Sequence, residues 1–141
     1  MPLDRRYVFL LNTAQRALQR YLDRQAAEQT GISVTHAGAL FVLQRQDGAL
    51  SGEVAEALDI APSAMTGLAD RMVKAGLIER RMDEFDGRSS RLWLTKSGRA
   101  AAALAKKQLG PLNAALTEGF DDHELDVVCR WLAAVRERFP S

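Results

Sequence analysis

The chain has 141 residues, enough for one domain or one compact domain with a helical appendage. Its 47% hydrophobic content suits a soluble protein with a core, and a formal net charge of +1 gives no global basicity that would argue for nucleic acid. The single cysteine, Cys129, excludes an internal disulfide framework and fits a reducing compartment.

Met1–Arg6 is charged, and the apolar run Tyr7–Leu11 is soon interrupted by Asn12. This is too short for a signal peptide or a membrane span, so a cytoplasmic protein without a membrane partner is expected. Tyr7, Leu11, Ala14, Leu18 and Tyr21 recur at steps of three and four, which predicts an amphipathic helix over roughly 4–29, ended by Gly31. Ser33 suits the N-cap of a second helix through about Arg45 that carries Ala39, Leu40 and Leu43. Asp47-Gly48 reads as a turn, and Ser51 as the cap of a short helix bearing Val54, Ala55 and Leu58. A turn at Asp59–Ala61 precedes a helix from Pro62 to a stop at Gly76. In that helix Met65, Leu68, Ala69, Met72 and Val73 form a core stripe, with Ser63, Thr66, Gly67, Asp70 and Lys74 opposite. Pro62 suits the first helical position; Ala61 is a poor cap, which leaves amides that can face phosphate.

Ile78–Met82 and Arg91–Leu94 have strand character around the turn dipeptide Asp86-Gly87. Thr95 is a good N-cap for the alanine-rich segment 97–109, which Gly110-Pro111 is expected to kink or break. Asp121 with Glu124 makes a capping-box start for a last helix striped with Leu125, Val128, Leu132, Val135 and Phe139.

Two short helices, a glycine stop and a charged ribbon read as a winged helix-turn-helix, an arrangement that places a helix in a DNA major groove. Between Arg71 and Arg99 basic residues outnumber acidic ones, so local charge suits phosphate where total charge does not. Ser63, Thr66 and Gly67 lie in the first turns, where such a helix meets base edges; Arg88 at the ribbon tip suits a minor groove, and Arg80, Arg81 and Arg91 suit phosphates. For any one of these arginines a solvated surface charge is the alternative. The apolar stripes of the first and last helices lie outside the motif and either pack on each other or, as favoured, on a second copy.

Residues 32–99 resemble the MarR (multiple antibiotic resistance regulator) family. The resemblance rests on Glu53-Val54-Ala55-Glu56-Ala57-Leu58-Asp59-Ile60, Asp70 to Ile78, Asp86-Gly87-Arg88-Ser89 and Leu94-Thr95-Lys96-Ser97-Gly98. It implies a mainly α fold with a small β-hairpin wing: a winged helix-turn-helix flanked by N- and C-terminal dimerisation helices. Within a single domain over 1–141, residues 33–96 would form the DNA-binding lobe, and 1–30 with 97–141 the dimerisation lobe. It also implies a homodimeric regulator of double-stranded DNA, usually a repressor of a pseudo-palindromic site. The DNA contacts would come from Ser63, Ala64, Thr66, Gly67, Arg71, Arg81, Arg88 and Arg91, with Asp86 bracing the wing. Dimerisation would use Tyr7, Leu11, Leu125, Val128, Leu132 and Val135. A small aromatic or phenolic effector would meet His36, Phe41, Arg16 and Tyr21, although helix-start bonding for His36 and core packing for Phe41 and Tyr21 are the plainer readings. Two departures stand out. Gly67 occupies a position where many relatives carry Arg, and Ala37-Gly38-Ala39 is a small-residue run that either opens a cavity or admits a close helix.

No phosphate loop, cysteine pair or nucleophile motif appears, so no enzyme, cofactor or metal is expected. The acids around His123 (Asp121, Asp122, Glu124) suit a helix start. Cys129 reads as a buried, inert small hydrophobe. A redox-responsive regulator using Cys129 and a winged-helix protein-interaction module are the alternative functions.

Overall fold

The computed structural model of the chain describes residues 3–28 and 33–140; the expected helix stop at Gly31 lies outside them. The elements in order are α1 (Tyr7–Glu28), α2 (Val34–Arg45), β1 (Ala49–Leu50), α3 (Ser51–Leu58), α4 (Pro62–Lys74), β2 (Ile78–Met82), β3 (Ser90–Leu94), α5 (Lys96–Thr117) and α6 (Asp122–Arg138). The three strands form an antiparallel sheet in the order β1-β3-β2, with Ala49 opposite Leu92 and Arg80 opposite Leu92 on the other side. Among the described residues no helix is long and apolar enough to cross a membrane.

Local chemistry explains most boundaries. The Ser33 hydroxyl accepts from the His36 amide at 3.2 Å, and Thr95 Oγ1 accepts from the Gly98 amide at 2.9 Å. Asp121 and Glu124 close a reciprocal capping box at 2.8 and 3.1 Å, which occupies the acids beside His123. Pro62 sits in the first turn of α4 behind an Ala61 that offers no side-chain cap, and Gly76 takes φ 75° just after the helix.

Four expectations are corrected here. Ser51 is the first residue of α3 and does not cap it. Leu50 is held extended by pairing with Arg91, and the Glu53 carboxylate reaches back to accept from the Leu50 amide at 3.0 Å. Val73 is 38% exposed because Met72 fills the inward position of the last α4 turn. Pro111 does not break α5, which runs unbroken to Thr117. The proline removes one amide on an exposed stretch, where water can serve the freed carbonyl, and the alanine-rich sequence carries the helix through. Phe139 lies past the end of α6 and is exposed.

The core gathers Leu40 and Leu43 from α2, Val54 from α3, Met65, Leu68 and Met72 from α4, Ile78, Leu92 and Leu94 from the sheet and Ala102 from α5. It therefore extends past residue 96 into the first turns of α5. The small-residue run in α2 answers to close packing. A Cβ on Gly38 would stand 2.8 Å from Leu58 Cδ2, and Ala37 and Ala105 are buried where α2 lies on α5. No described residue of α1 or α6 is buried. Arg136 Nη2 ties α6 to the end of α3, donating to the Glu56 and Ala57 carbonyls at 3.4 Å.

Candidate nucleic-acid interface

The α4 stripe faces the core, so the opposite side of the helix is presented outward. Ser63, Ala64, Thr66 and Arg71 are exposed there, with Gly67 half-buried. Thr66 Oγ1 donates to the Pro62 carbonyl at 3.1 Å, which leaves its lone pairs to accept from a base amino group. A Cβ at position 67 would lie 3.3 Å from Arg71 Nη1, so the Arg71 guanidinium lies back over Gly67. The Arg71 cation thus lies against Gly67, a contact that sequence spacing (i, i+4) allowed but did not reveal.

The wing is fixed to this helix. Arg80 Nη2 bonds Asp70 Oδ1 at 2.7 Å, bridging β2 and α4. At the tip, Asp86 Oδ1 accepts from the Arg88 amide at 3.0 Å and Asp86 Oδ2 from Ser89 Oγ at 3.1 Å, as expected of a bracing carboxylate. The Arg88 guanidinium is exposed, with no hydrogen bond or ion pair among the described residues. Arg88 and the outer face of α4 thus share one braced unit.

The other two wing arginines are placed differently. Arg91 is half-buried, with Nε on Asp83 Oδ1 and Nη1 on the Gly48 carbonyl, each at 2.9 Å. It braces the base of the wing, with Nε and Nη1 already engaged within the chain. Arg81 lies over the Trp93 ring at 5.2 Å and pairs with Glu79 at 3.0 Å. Strand alternation puts it on the wing face opposite Arg80. Trp93 also explains Gly48, whose added Cβ would come 2.5 Å from the ring and whose φ is 79°.

His36 is half-buried; burial and, secondarily, the Arg71 charge hold its imidazole below the ordinary histidine range. The unfolded chain therefore takes up this proton more readily, and stability falls as pH drops through about 6.5 while being unaffected above it. We expect the melting temperature to fall between pH about 7.5 and about 5.5, and His36→Gln to shrink that fall. An unchanged pH dependence in the variant would contradict this placement of His36.

Of the other effector candidates, Phe41 is half-buried, whereas Arg16 and Tyr21 are exposed on α1. An apolar groove formed by described residues lies elsewhere, about 330 Å³ lined by Tyr7, Val127, Val128 and Trp131. The Tyr7 and Trp131 ring centroids stand 6.4 Å apart. Tyr7, Val128 and Leu132 are exposed, and Leu11, Leu125 and Val135 are half-buried. Trp131 was not singled out from sequence, although it lies three residues from Val128 and four from Val135 on the same stripe. Cys129 is exposed, contrary to the buried reading, because none of the described residues covers that side of α6.

Residues 30–89 match the MarR family. Among curated proteins, no match is found. Solved structures are similar over nearly their whole length. A probable transcriptional regulator from Pseudomonas aeruginosa is 24% identical with a TM-score of 0.76, covering 95% of this chain and 99% of that one. MepR of S. aureus, solved with DNA, is 21% identical with a TM-score of 0.80, covering 96% and 100%. BpsR of Bordetella bronchiseptica, described with regulation of its DNA binding by 6-hydroxynicotinic acid, is 20% identical with a TM-score of 0.75, covering 89% and 97%. At these identities the likeness is one of fold.

Proposed function

We propose, from the match of residues 30–89 to the MarR family, that the chain is a homodimeric DNA-binding transcriptional regulator of that family that represses a pseudo-palindromic operator. The observation that carries the reading is the Asp70–Arg80 bridge, which holds the outer face of α4 and the free Arg88 guanidinium as one surface. Two such surfaces, related by a two-fold axis, would meet successive major grooves, with the wings in flanking minor grooves. Residues 33–96 with the first turns of α5 form the DNA-binding lobe, and α1, the rest of α5 and α6 the dimerisation lobe. The DNA complex of MepR and the aromatic acid that regulates BpsR support a DNA partner and a small aromatic effector. An effector would act by changing the spacing or rigidity of the two lobes, and so the population of the DNA-competent arrangement.

The test is a salt-titrated binding assay on DNA from upstream of the chain's own gene, with scrambled DNA as control. Selective binding that weakens with salt is expected. Arg88→Ala should weaken it by about 1–3 kcal/mol while leaving the dimer folded. Full affinity in that variant would remove Arg88 from the interface.

A further inference from the structure

The wing tip carries an apolar surface that the charged contacts do not use. Phe85 is 92% exposed and Met82 67% exposed. Neither serves the core, because the wing reaches beyond it. Along β2 the side chains alternate, so Ile78, Arg80 and Met82 share one face. Ile78 is buried in the core, and Arg80 is bonded to Asp70 of α4. Met82 is the next residue on that face, on the side of the recognition helix. Its methyl group lies 3.5 Å from where a Gly87 Cβ would stand, against the turn that carries Arg88.

Charge identifies the surface that this patch meets. Two of the three carboxylates of the tip are taken up internally, Asp83 by Arg91 and Asp86 by the turn amide and Ser89. Glu84 is exposed on the same loop and opposes the Arg88 charge only in part. Phe85 and Met82 are therefore exposed on the same wing tip as a free guanidinium, on an element tied to α4. A protein partner would make no use of that tie. A minor groove uses both parts: its potential draws the arginine, and its floor admits apolar side chains that wedge between base steps.

We propose that Phe85 is a wedge that enters the minor groove beside Arg88 and partly unstacks a base step, so that the wing reads deformability as well as potential. This rests on the DNA-binding reading above. It predicts a preference in the operator flanks for pyrimidine–purine steps, which unstack most easily.

The experiment uses the full chain to select duplexes from a randomised library. The recovered duplexes are then labelled with 2-aminopurine at successive flank positions. Wild type should raise the fluorescence at one step in each flank, reporting unstacking. Phe85→Ser, at a site too exposed to disturb the fold, should bind the same duplexes, lose the fluorescence rise and no longer enrich pyrimidine–purine flanks. Arg88→Ala should chiefly lose affinity. If Phe85→Ser binds and unstacks as wild type does, or wild type raises no fluorescence anywhere, the wedge is overturned and the patch is left for a protein partner. Failure of wild type to enrich any duplex would instead overturn the DNA-binding reading, and this inference with it.

Discussion

Gly98→Ala should destabilise the protein by at least the ~1–3 kcal/mol typical of overpacking, the largest stability loss expected from a single added methyl in this chain. The cause is a joint between the wing and α5. The Thr95 amide donates to the Leu77 carbonyl at 3.1 Å, and Thr95 Oγ1 donates to the Gly76 carbonyl at 2.6 Å while accepting from the Gly98 amide at 2.9 Å. These bonds draw the first turn of α5 onto the chain at Leu77. A Cβ on Gly98 would stand 1.9 Å from the Leu77 carbonyl oxygen and 3.2 Å from Leu94 Cδ2. The obstacle is backbone, which cannot swing aside as a side-chain tip can. Gly52→Ala on the exposed side of α3 is the control, since a Cβ there meets nothing within 4 Å and no proline follows it. Helix propensity alone should stabilise that variant by about 0.5–1 kcal/mol. Thermal unfolding followed by circular dichroism, at one protein concentration, should move the two midpoints in opposite directions. A Gly98→Ala midpoint equal to wild type would mean that the joint is loose.

That joint also shows how far the sequence can be read. Thr95 as a cap follows from residue type and position, but the demand for glycine three residues later comes from Leu77, which local spacing does not connect to it. The same division runs through the chain. The α4 stripe apart from Val73, the wing turn at Asp86-Gly87 and the Asp121–Glu124 box are periodic or short-range features, and the structure contains them. Strand β1 was not anticipated because two residues carry no period; its existence depends on pairing with β3. That pairing displaced the cap expected at Ser51.

The site divides along the same line. The brace at the wing tip was legible because Asp86 acts on the Arg88 amide across two residues. The bracing contact of Arg91 was not, because its decisive partner, the Gly48 carbonyl, lies 43 residues away. The contact of Arg81 with Trp93 across the strands was likewise not legible from local spacing. Cys129 was misread for the opposite reason. Its apolar neighbours are real, but burial requires a covering surface that the described residues do not supply.

That missing surface leads to the second large effect. Val128, Trp131 and Leu132 on α6 and Tyr7 on α1 remain substantially exposed, although α6 is a regular, well-capped helix. Exposed apolar surface of this extent on two helices marks an interaction face. The Tyr7–Trp131 contact shows that α1 and α6 do touch, but it leaves most of both stripes uncovered, which weighs against their simply packing on each other. In a two-fold interface each side chain is counted twice. Covering the 42% of Leu132 that is still exposed contributes about 0.6–1.3 kcal/mol per protomer, hence roughly double that per dimer. Leu132→Asp should therefore weaken dimerisation by at least about 3 kcal/mol, since it also places a charge where water is excluded. Sedimentation equilibrium should show monomers at concentrations where wild type is dimeric, and binding to a two-half-site DNA should collapse with it. The helical spectrum should persist apart from fraying, because no α6 residue contributes to the core that organises α4 and the wing. A Leu132→Asp protein that still dimerises fully would place the subunit contact elsewhere on the chain.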